Sequence, residues 1–266
     1  MAQPLSRRDR VRAATVTEIK DTARRILVAE GVDGLSLRAI AREMGMTAPA
    51  LYRYFPSRED LVVHLIADLY GELGGTMEAA RDAEDPQDTP ARLSAACRAF
   101  RRWAVEHPRE FALLFGSPIP GLEATRGGEA PTVAHEAGER FGAIFAELVA
   151  RIYLTRPFPV PPEEEIDPLL RRELQEWCTT FPVPLPIGVA QVFLSCWIRL
   201  YGMVAMEVFD HLKFAVADAE PMFEAELRDL AGKLGVADAY RPPAPSAHIP
   251  PASDNLTPRL STPPAE

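Results

Sequence analysis

The side chains with the clearest chemical potential lie in one short segment that follows a glycine. Thr47, Tyr52 and Arg53 can hydrogen-bond through a hydroxyl or a guanidinium group. Ala48 and Ala50, in the same segment, allow close approach and offer a methyl group. Hydroxyl and guanidinium groups contact phosphates and base edges, and an alanine methyl can contact the methyl of thymine. This set of side chains is compatible with a groove of double-stranded DNA.

The spacing of small and apolar residues around this segment predicts two short helices that cross closely. Ala41 is small enough for the crossing point, and Gly45, four residues later, accepts the left-handed backbone of a sharp turn. Leu51 and Tyr54 are spaced to hold the second helix by its inner face. The pattern is typical of a helix-turn-helix, which we expect over residues 35–54. The neighbouring core positions are filled by Ile40, Met44 and Met46.

A plain helical hairpin in a bundle core is the alternative interpretation, and the distribution of charge weighs against it. Arg38 and Arg42 share one side of the first short helix. Residues 1–60 carry 11 basic and 8 acidic side chains, whereas the rest of the chain carries 18 basic and 30 acidic ones. A basic end on an acidic body suits a protein that meets a polyanion with one end only. Four of the basic side chains of this end, Arg7, Arg8, Arg10 and Arg12, lie in the N-terminal arm.

The overall composition is that of a soluble globular protein. The 266 residues are 47% hydrophobic and 25% charged, which is enough for a sizeable core and for two modest domains. The Arg-rich N-terminus has no apolar segment of the secretory type, and no run of 18 apolar residues is present. We therefore expect a cytoplasmic protein with no membrane span.

Metal, disulfide and cofactor sites are not indicated. Cys97, Cys178 and Cys196 are odd in number and lack ligand spacing, so free buried thiols in a reducing cytosol are expected. Of the five histidines, His107, His135 and His211 are scattered along the body and form no metal pattern, and we expect no cofactor.

Apolar residues recur at helical intervals along most of the chain, and no segment alternates with a period of two. The expected fold is therefore all-α, with the helix-turn-helix near the N-terminus followed by a larger helical body. Predicted helices cover 11–30, 36–44, 47–54, 57–73, 90–106, 108–115, 131–154, 166–181, 187–214 and 219–234. The predicted domains are a flexible basic arm (1–12), the DNA-binding domain (13–60), the helical body (61–236) and a disordered Pro-rich tail (237–266).

Residues 14–73 resemble the N-terminal domain of TetR-type (TetR/AcrR family) transcriptional regulators. The matching stretches are residues 26–31, 35–41 and 50–55, and the last continues into 56–61, where that family enters its fourth helix. The resemblance implies a three-helix DNA reader, a connecting fourth helix, and a helical body that binds an effector and dimerises.

The resemblance also implies roles for the side chains of the second short helix. Thr47, Ala48 and Ala50 would face base edges in the major groove. Tyr52 and Arg53 would mainly hold phosphates, which fixes register rather than sequence.

Positions outside that helix receive roles by the same resemblance. Ser36, at the start of the first short helix, would meet a phosphate. Arg38 matches a position that reaches either a base or the backbone, and both alternatives stay open. Arg58 stands where the family often has Lys and would contact a phosphate. Tyr54 and Phe55 are expected to pack in the core.

The body contains a segment, residues 192–207, that is apolar nearly all round and so is expected to be buried on several faces. It resembles the C-terminal class of TetR-type regulators in which a Trp precedes a Gly by five residues, here Trp197 and Gly202; Tyr201 stands where that class usually has His. We expect the helices over 187–214 and 219–234 to form a four-helix interface in a homodimer. The alternative is that they are only intramolecular core.

An effector pocket is expected among the aromatic residues of the body, although ordinary core packing is the alternative for each of them. Large aromatic groups with few polar partners suit a hydrophobic or aromatic effector. The candidate pocket residues are Phe111, Phe115, Phe141, Phe145, Trp177, Trp197 and Tyr201, with Tyr153, Phe181 and Met203 as further candidates.

These observations favour a ligand-responsive repressor that binds a pseudo-palindromic operator as a dimer and is released by a small molecule. The helix over 57–73 would link effector and DNA. One alternative is an activator or other DNA-binding protein without an effector. Another is a helical-bundle enzyme that has kept an unused helix-turn-helix, but no nucleophile–base pair, HExxH, phosphate loop or Glu-x-x-His pair supports catalysis.

Overall fold

A computed structural model describes residues 6–116, 132–179 and 185–243, and over these ranges the regular structure is helical with no β-strand. The all-α prediction is confirmed. The ten α-helices of the described ranges are α1 (Arg7–Glu30), α2 (Leu37–Glu43), α3 (Ala48–Tyr52), α4 (Arg58–Asp82), α5 (Thr89–Glu106), α6 (Pro108–Phe115), α7 (Val133–Thr155), α8 (Pro168–Cys178), α9 (Ile187–Val208) and α10 (Glu220–Lys233).

Helices α1 to α3 form a small N-terminal unit whose ends follow from local sequence. The Ser36 hydroxyl accepts a hydrogen bond from the Ala39 amide and so caps α2. Gly31 and Gly45 adopt φ of +77° and +66°, a region that glycine enters without steric cost, and they end α1 and turn the chain after α2. Ile40 and Leu51 are fully buried where the two short helices meet.

Helix α1 begins earlier than the sequence predicted. Its N-cap is Ser6, whose hydroxyl accepts from the Asp9 amide, so residues 7–12 are helical rather than part of a flexible arm. A Ser followed three residues later by an acidic side chain is a strong start signal, and it precedes the first apolar residue of the periodic pattern. Residues 1–5 lie outside the described ranges.

Helix α4 is longer than predicted and runs from the N-terminal unit into the body. Its first turns bury Leu61 and Leu65, and its far end packs along α5 and α7 as far as Met77. Gly74 does not break the helix and faces α7, where a Cβ would make an ordinary contact 3.6 Å from Ile144 Cδ1. One rigid element therefore crosses both parts of the molecule.

Helix α9 is long and apolar enough to cross a membrane by length and composition. In the fold one face of α9 lies in the core, with Val192, Cys196, Leu200 and Val204 buried against neighbouring helices, and its other face is uncovered at Ile198 and Met206. It ends at Val208 rather than at residue 214, because the chain turns at Asp210, where φ is +62°.

The segment after α10 also differs from the prediction of a disordered tail. Residues 237–239 form a 3₁₀ turn and Tyr240 is buried. An aromatic ring with apolar and cationic neighbours can order a short segment even in a Pro-rich context. Residues 244–266 lie outside the described ranges.

Candidate DNA interface and effector cavity

Helices α2 and α3 are held at a fixed angle, and this presents the predicted DNA-contacting side chains on one surface. The Met46 amide donates to the Ala41 carbonyl at 2.8 Å, which closes the turn between the helices. Thr47 then precedes α3 and is exposed. Tyr52 and Arg53, at the other end of α3, are exposed as well. These three side chains have free access to a polyanion.

The remaining predicted contacts differ in exposure. Ser36 and Arg38 are exposed at the start of α2, where the unpaired amides of a helix N-terminus face outward. Ala48 and Ala50 are half-buried, so only part of each methyl group can reach a base. Direct readout would then fall mainly on Thr47.

Arg58, predicted to contact a phosphate, also makes two hydrogen bonds within the protein. Its Nε donates to the Leu35 carbonyl at 2.8 Å and its Nη2 donates to the Val32 carbonyl at 3.0 Å. Two carbonyls of the loop before α2 are therefore satisfied by this guanidinium, which is half-buried. These two bonds hold the loop before α2 against α4, and they use only two of the five N–H donors of the guanidinium, so the predicted phosphate contact stays a prediction.

Arg12 was assigned to the flexible arm but packs beside α3. Its guanidinium lies 5.0 Å from the centre of the Tyr54 ring, and its Nη2 lies 3.5 Å from the Arg53 carbonyl. The helical phase of α1 puts this arginine next to the DNA-facing surface, a relationship that sequence spacing alone does not reveal. Tyr54 is half-buried and Phe55 is buried in the core.

A network of polar side chains joins the N-terminal unit to the body. Arg24 on α1 donates from Nη1 and Nη2 to Glu72 on α4, at 2.5 and 3.1 Å, and from Nε to Glu110 on α6 at 3.0 Å. Trp103 Nε1 on α5 donates to the same Glu72 carboxylate at 2.9 Å, and His107 lies 4.0 Å from it. The hydrogen bond from Arg24 is the main cause that lowers the pKa of Glu72.

The predicted aromatic pocket is largely a filled cluster of rings. Phe111 is fully buried. The ring of Phe115 packs on those of Phe141 and Tyr201, with ring centroids 5.7 and 5.9 Å apart. Phe100, which the sequence analysis missed, is fully buried and contacts five of these aromatic groups. Because the rings occupy the space themselves, most of the candidates are core residues.

The other aromatic candidates lie apart from this cluster. Trp177 pairs with Phe193 at 5.5 Å, and Tyr153 pairs with Phe158 at 5.1 Å. Met203 is half-buried on α9, and Phe181 lies outside the described ranges.

Beside the aromatic cluster, an apolar cavity with about 580 Å³ of empty space, part of it open to solvent, lies between α5, α7, α9 and α10. Phe145 and Trp197, of the predicted residues, line it. Two of the cysteines also line it, and burial raises the pKa of Cys97 to about 12 and that of Cys196 to about 11. Both groups are therefore neutral thiols at physiological pH.

The outward faces of α9 and α10 carry apolar residues with no cover in the protomer. The side chain of Ile198 is 60% exposed and that of Met222 is 53% exposed. A Cβ at Gly202 would meet no atom within 4 Å. Exposed apolar groups beside an open glycine on paired helices are compatible with a helix–helix contact to another molecule.

Within the described ranges, no group of three His, Cys, Asp or Glu side chains is placed to hold a metal ion.

Two family models match the chain. The model described as bacterial regulatory proteins of the tetR family matches residues 19–65, which contain α2 and α3. The model described as a tetracyclin repressor-like C-terminal domain matches residues 93–230, the segment that contains Trp197 and Gly202.

Relatives and solved structures point to the same family. HTH-type transcriptional regulator Rv1816 of Mycobacterium tuberculosis is 34% identical over 233 residues, which cover 86% of this chain and 95% of that protein. HTH-type transcriptional repressor DrrR1 of Streptomyces coeruleorubidus is 31% identical over 120 residues, which cover 43% of this chain and 41% of that protein. The crystal structure of regulatory protein SCO4313 superimposes with a TM-score of 0.64 and 31% identity, covering 85% of this chain and 100% of that one. RolR, at 16% identity and a TM-score of 0.50 over 88% of this chain and 98% of its own, is similar in fold. The chain therefore belongs to the TetR family of transcriptional regulators, and its α2–α3 unit is the DNA-binding helix-turn-helix of that family.

Proposed function

We propose that the protein is a ligand-responsive, dimeric repressor that binds a pseudo-palindromic operator in the cytoplasm and is released by a small apolar or aromatic effector. The observation that carries this proposal is the continuity of α4. Its first part, where Leu61 and Leu65 are buried, packs against α1 of the DNA-binding unit, and it packs in the body as far as Met77. A change in the body can therefore alter the position of the DNA-reading surface.

The DNA contacts that support the proposal fall into two groups. Thr47, with the exposed parts of Ala48 and Ala50, would read base edges, and Tyr52 and Arg53 would hold phosphates.

Three further contacts complete the proposed interface. Ser36 would present the α2 N-terminus to a phosphate, Arg38 would reach either a phosphate or a base, and Arg12 would approach the backbone beside α3. Arg58 would add a phosphate contact through the donors that its two bonds within the protein leave unused.

The dimer would form through the exposed faces of α9 and α10. Two-fold operators require a two-fold protein, and paired helices with Ile198, Gly202 and Met222 uncovered supply a self-complementary surface.

The effector response is supported by the cavity in the body and by the class of protein. RolR, which shares the fold, has been solved in complex with resorcinol, and DrrR1 is described as a repressor. A ligand shifts DNA affinity only if it binds the DNA-bound and free states with different affinity.

Selection of DNA fragments by the purified protein at about 0.15 M salt tests the proposal. We expect the wild type to enrich a pseudo-palindrome, and Arg53→Ala to select the same sequence with lower affinity, since a lost phosphate contact weakens all DNA sequences alike. Arg102→Ala removes an exposed arginine of α5 and is the matched control, expected to behave as wild type. No enrichment by the wild type would contradict the DNA-binding role, and DNA that no small apolar molecule releases would contradict the effector response.

A further inference from the structure

The chain turns back over the body after α10. Gly235 adopts φ of +68°, and a Cβ there would lie 3.2 Å from Phe158 Cβ, so the turn depends on glycine. Residues 236–241, which we call the C-terminal strap, follow this turn. Val236 and Tyr240 of the strap line the apolar cavity between α5, α7, α9 and α10. The strap therefore forms one wall of the cavity and places the Tyr240 ring in it.

Polar contacts hold the strap in place, and we call this group of contacts the latch. The Tyr240 hydroxyl donates to Glu224 Oε2 at 2.5 Å. Glu224 also pairs with Arg98, which donates from Nε and Nη2 at 2.8 Å each. Arg98 Nη2 further donates to the Arg241 carbonyl at 2.7 Å, and the guanidinium of Arg228 lies 5.2 Å from the centre of the Tyr240 ring. The latch thus connects α5, α10 and the strap.

The protonation states of the latch favour the closed position at neutral pH. Burial raises the pKa of Glu224, but hydrogen bonds from Arg98 and Tyr240 outweigh this effect and the net shift is downward. Burial and the bond to Glu224 raise the pKa of Tyr240, so its hydroxyl keeps the proton that it donates. A hydrogen bond to an ionised partner is stronger than one between neutral groups.

The wall of the cavity indicates the chemistry of its occupant. None of the described residues that line it carries a charge, and most are aliphatic or aromatic, such as Leu93, Phe193 and Leu230. Ser94 and the two neutral thiols are the small polar groups in the wall. A charged ligand would lose its hydration without a compensating ion pair, so an uncharged molecule is favoured.

We propose that this cavity binds an uncharged, mainly apolar small molecule and that the C-terminal strap is its lid, kept closed by the contacts of Tyr240 with Glu224 and Arg98. The ligand enters when the strap lifts at Gly235 and the Tyr240 ring leaves the wall. The proposal deepens the proposed function, since it identifies the effector site and its gate.

The location of the cavity explains how its occupant would act on DNA binding. Cys196 and Leu230 face the cavity from α9 and α10, whereas Ile198 and Met222 lie on the outward faces of the same helices. A ligand that separates these helices from α5 and α7 would therefore change the proposed dimer contact and with it the spacing of the two DNA-reading units.

The gate is tested by stopped-flow binding of N-phenyl-1-naphthylamine, an uncharged apolar probe that becomes fluorescent in an apolar site. If the strap must open first, the observed rate reaches a plateau as the probe concentration rises. Tyr240→Phe keeps the ring and removes the bond to Glu224, and we expect the plateau to rise about tenfold, the effect of losing one hydrogen bond to a charged group. Tyr201→Phe is the matched control, because it also removes a hydroxyl that donates to the protein, at Phe115, but lies outside the cavity wall.

The site itself is tested by filling it. Ala231→Phe places a ring in the cavity and should weaken probe binding at least about tenfold, and Cys196→Leu fills the cavity from α9 and guards against a folding defect in the first variant. Ala79→Phe on the exposed side of α4 is the control and should bind as wild type. The proposal would be overturned if the wild type did not bind the probe or if both filled variants bound it as tightly as the wild type. An unchanged plateau in Tyr240→Phe would overturn it as well. These readouts need no DNA, so a protein that binds the probe but selects no operator would fail only the proposed function.

Discussion

Arg24 Nη1 on α1 lies 2.5 Å from Glu72 Oε2 on α4, so an ion pair joins the first helix of the DNA-binding unit to the helix that runs into the body. The same guanidinium reaches Glu110 on α6 through Nε, at 3.0 Å. Because the Glu110 side chain is only 5% exposed, this second contact neutralises a carboxylate that water scarcely reaches. Arg24 therefore connects three helices, and the orientation of the DNA reader depends on it.

Arg24→Ala should lower the free energy of unfolding by about 1–3 kcal/mol, because it leaves the buried Glu110 carboxylate without a partner. Urea denaturation followed by circular dichroism measures the change. Lys20→Ala is the matched control: Lys20 also pairs with α4, at Asp68, but Asp68 is half exposed, and we expect a loss under about 1 kcal/mol. Equal losses in the two variants would contradict a special role for Arg24.

The stability of this junction should depend on pH through Glu72. Its folded-state pKa is lowered, first by the hydrogen bond from Arg24 and also by those from Trp103 and by the nearby His107. The contribution of Glu72 to the free energy of unfolding is therefore complete above the pKa of a glutamate in the unfolded chain, about 4.3. It is lost as the pH falls through the lower pKa of Glu72 in the folded protein. Glu72→Gln should flatten the fall in unfolding free energy between about pH 5 and pH 3. An identical slope in variant and wild type would show that other carboxylates set it.

The sequence predicted the elements that depend on local signals and missed those that depend on tertiary contact. The starts of the helices predicted at residues 36 and 57 and the turn at Gly45 agree with the structure, in which Ser36 and Ser57 cap α2 and α4, because a cap or a turn is specified within four residues. The hydrogen bonds of Arg58 within the protein were not predicted, since its acceptors lie more than twenty residues away in the loop before α2. The burial of Phe100 and Tyr240 was missed for the same reason: aromatic spacing along a chain does not show which rings fill a core and which line a cavity.

Arg58→Ala and Arg53→Ala should have opposite signatures. Arg58→Ala removes the side-chain donor of the Leu35 carbonyl and leaves the Val32 carbonyl with the Leu35 amide alone, and it should cost about 1–2 kcal/mol of unfolding free energy. Arg53→Ala should leave stability unchanged, weaken binding to all DNA sequences alike and reduce the salt slope by about one unit. Denaturation and fluorescence anisotropy at several salt concentrations measure the two quantities. A shift in sequence preference with an unchanged salt slope would assign Arg53 to a base instead.

The three cysteines should differ strongly in reactivity. Burial raises the pKa of Cys97 to about 12 and that of Cys196 to about 11, and because alkylation requires the thiolate, both should resist iodoacetamide at pH 8. Cys178 is half-exposed and should react first, although burial raises its pKa as well. Peptide mass spectrometry over time gives the order. Tyr240→Phe should speed the labelling of Cys97 and Cys196 but not of Cys178, whereas equal acceleration at all three would indicate general loosening rather than an opened strap.

Gly202→Leu tests the dimer surface without disturbing the protomer. A Cβ at this position meets no atom within 4 Å, and leucine favours a helix interior over glycine by up to about 1 kcal/mol, so the folded protomer should be as stable as wild type or more so. If the α9 faces of two protomers meet at Gly202, the added side chain overpacks the contact, which costs about 1–3 kcal/mol of association free energy. The dimer dissociation constant, measured by sedimentation equilibrium, should then rise about tenfold or more. Gly71→Leu is the matched control, since Gly71 is a helix-interior glycine of α4 that is exposed and equally free of neighbours within 4 Å. If the Gly202→Leu protein dimerises as tightly as the Gly71→Leu control, the two-fold interface does not lie on α9 at Gly202.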